Sequence, residues 1–178
     1  ALVRAHKYLK DQQWEKAKQE FGYVLDIFPN NRDAHRGIGL ATWKIRQNIT
    51  DSDLDKRLLH EIFESLSEAY RLGARDAETV WTLERLYEAF CTEQEQIKFL
   101  EDIARTASDN KMSIEANTLI VAILEGMEMF AQAVEKHQRI MSVLSEATPK
   151  EKIESYLNQC VANAYREAGY IDEWLRQT

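Results

Sequence analysis

Apolar residues recur every three or four positions along most of this 178-residue chain, which is the spacing of an amphipathic α-helix. The clearest example is residues 14–31, whose apolar stripe consists of Trp14, Ala17, Phe21, Val24, Leu25 and Phe28. Pro29 ends this helix, because proline cannot continue a helix. Residues 2–9 show the same period, and only a short polar segment separates the two runs. We therefore expect two neighbouring antiparallel helices that form a hairpin.

Five residues of this hairpin match the second half of a known helical repeat, namely Tyr8, Trp14, Ala17, Phe21 and Pro29. In type and spacing they resemble the tetratricopeptide repeat (TPR). The resemblance implies an all-α fold, a right-handed α-solenoid of antiparallel helix hairpins. Because a single hairpin leaves one apolar face uncovered, it also implies further copies downstream.

The rest of the chain supplies these copies at irregular spacing, and we expect about nine helices. The repeats are expected at residues 1–31, 32–75, 76–110 and 111–147, with an incomplete copy at 148–178. Thr92 and Glu95 form a capping box that opens a helix. Gly73 and Asp76 mark the end of one helix and the start of the next. Gly39 costs a helix roughly 1 kcal/mol relative to Ala, so we expect a close contact between helices there.

Residues 45–57 interrupt the pattern. This segment is too polar for a core and longer than the usual turn within a repeat. We therefore expect an inserted loop over residues 45–57, with a helix cap near Ser52. Because both ends of the chain fall within helical patterns, we also expect this single repeat domain to be part of a longer protein.

Composition and charge narrow the classes of partner. Only 6 Gly and 2 Pro, with 44% hydrophobic and 30% charged residues, leave little material for strands. A net charge of −7, with no run rich in Lys and Arg, argues against nucleic acid. No apolar run approaches the ~18 residues of a membrane helix, so no membrane insertion is expected. Cys91 and Cys160 lack a CxxC spacing, which favours a reducing compartment. Without a signal peptide, we expect a cytoplasmic protein.

The sequence offers no constellation of catalytic residues. His60 and Glu61 begin the zinc-protease helix motif, but Glu64 stands where the second His would be needed. We therefore expect no metal, no cofactor and no enzymatic activity. An enzyme remains an alternative that would require a deep pocket holding a His and a carboxylate. Met127 and Met129 flank a turn, and they either fill gaps in packing or line a peptide groove.

The resemblance also implies a concave groove lined by the first helix of each repeat. Transferring the family's groove positions to this sequence gives six candidate partner-binding residues: Arg36, Leu40, Trp43, Trp81, Arg85 and Glu88. Trp and Arg are enriched at binding hot spots. The alternative is that Trp43 and Trp81 pack at junctions beside the polar segment.

One subtype of the family is not expected. TPR domains that clamp the C-terminal carboxylate of a chaperone need Lys, Asn and Arg at positions that here hold Leu2, His6, Gly37, Asp76 and Val80. The sequence thus predicts a non-enzymatic protein–protein interaction module, a scaffold or adaptor that presents its groove to a peptide or protein. The alternative is a sensor or regulatory domain of a larger protein that controls an attached effector.

Overall fold

The computed structural model describes residues 1–107 and 110–144, and that part of the chain consists of helices and their connections. Its eight helices are α1 (Leu2–Lys10), α2 (Trp14–Ile27), α3 (Arg32–Arg46), α4 (Ser52–Arg71), α5 (Ala77–Phe90), α6 (Glu93–Thr106), α7 (Asn110–Gly126) and α8 (Phe130–Leu144). The expected all-α fold is confirmed. The ninth helix and the incomplete repeat at 148–178 lie outside the described residues. None of the eight helices is both long and apolar enough to cross a membrane.

The chain divides into two compact units, Ala1–Cys91 and Thr92–Thr178. In the first unit each helix from α1 to α5 packs on the next one along the chain. In the second unit α6 packs on α7, and α7 packs on α8. Packing between successive helices is the arrangement of helical-repeat proteins, in which each hairpin covers an apolar face of its neighbour.

α3 packs closely on both α2 and α4. A Cβ atom on Gly37 would lie 2.5 Å from Cδ2 of Phe21 in α2, and one on Gly39 would lie 2.6 Å from Cγ of Leu66 in α4. Both distances are too short for a real contact, so the two glycines are what allow the neighbouring helices to approach. The close contact that the sequence predicts at Gly39 is confirmed.

Three of the predicted helix ends are also confirmed. The backbone N–H of Thr92 donates to Glu95 Oε2 at 2.9 Å, and Thr92 Oγ1 accepts from the backbone N–H of Glu95 at 3.3 Å, which completes the capping box. Gly73 follows α4 with a φ of +99°, in the left-handed region that favours glycine. Asp76 caps α5 by accepting from the backbone N–H of Thr79 at 3.1 Å.

The polar segment after α3 is more helical than expected. α3 continues to Arg46 and α4 begins at Ser52, so the connection covers residues 47–51 rather than a loop over 45–57. Asp51, not Ser52, is the N-cap, and it accepts from the backbone N–H of Leu54 at 2.8 Å. Arg46 Nε lies 2.6 Å from Asp55 Oδ1, which joins the two helix ends. The polarity of this segment therefore reflects helix ends that are joined by a half-buried ion pair.

Candidate partner-binding face

α5 carries a stripe of residues that faces away from the core. The stripe, here called the α5 stripe, consists of Glu78, Trp81, Arg85 and Glu88, at the 3-4-3 spacing of one helix side. Trp81 is half-buried and the other three are exposed. The opposite side of the helix is buried through Val80, Leu83 and Leu86. This packing fixes the direction in which the stripe points.

α3 contributes a narrower exposed strip. Arg36 and Trp43 are seven residues apart, which is two helical turns, and both are half-buried. Leu40 lies between them but is only 5% exposed. The expectation that Leu40 lines the groove is therefore wrong, because the close packing of α3 between α2 and α4 leaves little of this helix accessible. Leu40 belongs to the core.

Arg36 is held by carboxylates of α5. Its Nε donates to Asp76 Oδ2 and its Nη2 donates to Asp76 Oδ1, both at 2.8 Å, in a bidentate ion pair. The same Nη2 lies 3.4 Å from Glu78 Oε2, the first residue of the α5 stripe. Because these bonds join the strip on α3 to the stripe on α5, both lie on the same side of the first unit. We call this side the α3/α5 face.

The Arg36–Asp76 pair stays charged over a wide pH range. Burial on its own would raise the pKa of Asp76, but hydrogen bonds from Arg36 and Thr79 outweigh this and lower the pKa from 3.8 to about 2. The hydrogen bond to Asp76 likewise raises the pKa of Arg36. Asp76 thus caps α5 and anchors Arg36 with one carboxylate.

Trp43 lies beside a second ion pair. The guanidinium carbon of Arg46 lies 5.4 Å from the centroid of the Trp43 ring, within the distance of a cation–π contact. Arg46 in turn pairs with Asp55 of α4. Sequence reasoning did not identify the pair of Arg46 with Asp55, although the spacing of Arg46 three residues after Trp43 was a usable signal. Part of the Trp43 ring therefore packs within the unit and part remains accessible.

Arg36 and Arg46 are held in ion pairs within the first unit, whereas the charge of Arg85 is available to a partner. The side chain of Arg85 is exposed, and it takes part in no ion pair within the described part of the chain. Trp81 precedes it by one turn, and Glu88 follows three residues later. The α3/α5 face therefore offers apolar area, one available cation and flanking carboxylates, a combination suited to binding.

Nowhere among residues 1–107 and 110–144 do three His, Cys, Asp or Glu side chains form a group that could hold a metal ion.

No protein-family model and no curated protein matches the sequence. Solved structures do resemble it. MamA is 19% identical, with 97% of this chain and 83% of that chain covered and a TM-score of 0.62. YrrB, described as a TPR protein with an unusual peptide-binding site, is 12% identical, with 97% and 78% covered and a TM-score of 0.62. A thermophilic TPR protein of Thermus thermophilus is 14% identical, with 90% and 77% covered and a TM-score of 0.51. At these identities the likeness concerns the fold.

Proposed function

We propose that this chain, which has the fold of the tetratricopeptide-repeat proteins, is a non-enzymatic interaction module that holds a peptide or protein on its α3/α5 face. It would act as a scaffold or adaptor. The fold supports this proposal by analogy, because stacked helix hairpins create extended concave surfaces that suit binding. The peptide-binding site described for YrrB is an example within the same fold.

The observation that carries the proposal is the α5 stripe. Trp81 and Arg85 stand one turn apart on a helix whose other side is fixed in the core by Val80 and Leu83. Side chains held on a rigid helix lose less conformational freedom on binding than side chains on a loop. Trp and Arg combine a large contact area with directional polar contacts, which is why they dominate binding hot spots.

The stripe also indicates the chemistry of the partner. Arg85 favours a carboxylate, whereas Trp81 and the accessible part of Trp43 favour an aromatic or apolar side chain. An acidic segment with an aromatic residue fits both, despite the net charge of −7, because local charges govern contact and the summed charge governs approach. The same net charge disfavours nucleic acid.

Two further parts of the proposal rest on composition and on family positions. The absence of a CxxC spacing at Cys91 and Cys160 in the sequence supports a reducing, cytoplasmic compartment. The residues at the clamp positions, among them Asp76 and Val80, do not suit a chaperone's C-terminal carboxylate. Asp76 is negatively charged and is already paired with Arg36.

Affinity capture with the full chain as bait, followed by mass spectrometry, would identify the partner. Affinity would then be measured for Trp81→Ala and Arg85→Ala, with circular dichroism to check folding. We expect at least one of them to weaken binding by about 2 kcal/mol, roughly thirtyfold. Arg57→Ala is the matched control, because Arg57 is an exposed arginine on α4. Unchanged affinity in both stripe variants would contradict the proposal.

A further inference from the structure

A cluster of large apolar side chains remains exposed at the end of α2. Tyr23 is 49% exposed, Ile27 is 69% exposed and Phe28 is 61% exposed. Tyr23 and Ile27 are one turn apart on the same side of the helix, and Phe28 is its C-cap residue. We call these three residues the α2 patch. Neighbouring exposed apolar side chains of this size mark an interaction surface, and this one lies on neither helix of the α3/α5 face.

The α2 patch has a negative electrostatic character. Asp26 is exposed and lies next to Ile27, and the last turn of α2 contains no basic residue. The C-terminal end of a helix also carries a partial negative charge from its free carbonyl groups. A surface that covers this patch should therefore be apolar at its centre and positive at its edge.

A groove with these properties lies in the second unit. It has a volume of about 460 Å³, is lined by residues of α6, α7 and α8, and has an apolar lining of Ile97, Ile120, Leu124, Met127 and Met129. We call it the α6–α8 groove. Two flexible methionines make the lining adaptable to an incoming side chain. Both residues, which the sequence analysis named either as packing residues or as part of a peptide groove, belong to this lining.

The rim of the α6–α8 groove carries an excess of positive charge. Its three cations are Lys98, Lys136 and Arg139, and its two carboxylates are Glu101 and Glu135. Lys136 pairs with Glu101 at 2.9 Å, and Arg139 pairs with Glu135 at 2.7 Å. Lys98 is exposed and is the third cation of the lining; it also interacts with Glu95, which lies one turn earlier on α6 and outside the lining.

We propose that the α2 patch of one copy of this chain docks in the α6–α8 groove of a second copy. Ile27 and Phe28 enter the groove against Met127 and Met129, and Asp26 faces Lys98. A groove of 460 Å³ falls in the ~300–1,000 Å³ range of pockets that enclose a bound group, so it has room for these two side chains. A second copy is the occupant that the charges favour, because the same chain carries both complementary surfaces.

This contact joins two different surfaces and is therefore heterologous. Each copy that binds through its patch still has a free groove, and each copy that binds through its groove still has a free patch. Such contacts continue from copy to copy into a ring or an open chain. A symmetric dimer is not the expected product.

The test begins with sedimentation velocity of the full chain at concentrations from about 1 to about 100 μM, the range in which a micromolar contact becomes populated. We expect species larger than a dimer to grow with concentration. Ile27→Asp adds a charge to the patch, and the double variant Lys98→Glu/Gln132→Glu makes the groove rim negative. All three residues are exposed, so folding should be retained, and circular dichroism checks this. Each variant alone should be monomeric.

Mixing the two variants gives the decisive result. The patch variant keeps an intact groove and the groove variant keeps an intact patch, so together they should form a 1:1 complex that grows no further. Val3→Asp is the matched control, because Val3 is 87% exposed on α1 and belongs to neither surface; it should associate like the parent. A parent that stays monomeric, an Ile27→Asp variant that associates normally, or a mixture that stays monomeric would each overturn the proposal.

Discussion

A Cβ atom on Gly39 would lie 2.6 Å from Cγ of Leu66, so residue 39 of α3 has no room for a side chain. Leu66 is fully buried in α4 and has little freedom to move aside. This contact sets the distance between α3 and α4. It therefore also fixes how much of α3 remains exposed on the α3/α5 face.

Gly39→Ala should destabilise the protein even though alanine is the better helix former. The substitution gains about 1 kcal/mol of helix propensity, but overpacking a filled site costs about 1–3 kcal/mol. Gly22→Ala in α2 is the matched control, because a Cβ there would meet nothing within 4 Å. Unfolding in urea should show the first variant to be less stable than the parent and the second to be slightly more stable. An equal change in the free energy of unfolding of both variants would contradict the close contact between Gly39 and Leu66.

Leu40 should behave as a core residue. At 5% exposure, Leu40→Ala should reduce the free energy of unfolding by about 2–5 kcal/mol through lost burial and the cavity that remains. Val3→Ala in the same unit, at 87% exposure, should change it by only about 0.5 kcal/mol. Denaturant unfolding followed by circular dichroism measures both. If Leu40→Ala is as stable as the parent, Leu40 is not a core residue, and the expectation that it lines the binding face holds.

Much of the fold could be predicted because it depends on local signals. The capping box of Thr92 and Glu95, the helix end at Gly73 and the cap at Asp76 all follow from residues close together in sequence. The close contact at Gly39 was also predictable, because a glycine inside a helix needs a packing reason. The length of the polar loop could not be predicted, because it depends on the ion pair that Arg46 and Asp55 form across the connection.

The candidate site was less predictable because it depends on contacts between distant residues. Three residues chosen from the family positions, Trp81, Arg85 and Glu88, lie on an accessible side of α5. The family positions do not reveal that Arg36 pairs with Asp76, forty residues away. Nor do they reveal that α3 packs so closely that Leu40 is buried. Hydrophobic periodicity identifies the inner side of a helix, but the number of helices that cover it depends on the tertiary structure.

The ion pair between Arg36 and Asp76 should make stability depend on pH in acid. The pKa of Asp76 is about 2 in the folded protein and 3.8 ordinarily. A carboxyl group with a lowered pKa binds more protons in the unfolded state, so its contribution is fully present above pH 3.8 and is lost as the pH falls towards 2. Because Asp76 is partly exposed, solvent screening reduces the size of this contribution.

Asp76→Asn provides the measurement. Above about pH 4 the variant should be less stable than the parent, since it loses the ion pair, and the difference should shrink as the pH is lowered from about 4 to about 2. Asp11→Asn serves as the control, because Asp11 is exposed at the end of α1 and takes part in no ion pair within the described part of the chain. A difference for Asp76→Asn that stays constant over this range would show that the carboxylate does not titrate with a lowered pKa.

Hydrogen–deuterium exchange of the full chain, with and without its captured partner, tests most directly the claim that the α3/α5 face holds the partner. The account predicts slower amide exchange on binding in α5 and in the second half of α3, around Trp81, Arg85 and Trp43. It predicts little change on the exposed side of α4, around Lys56 and Arg57. Slower exchange confined to α2, α4 or the connection at residues 47–51, with α5 unchanged, would contradict the central claim.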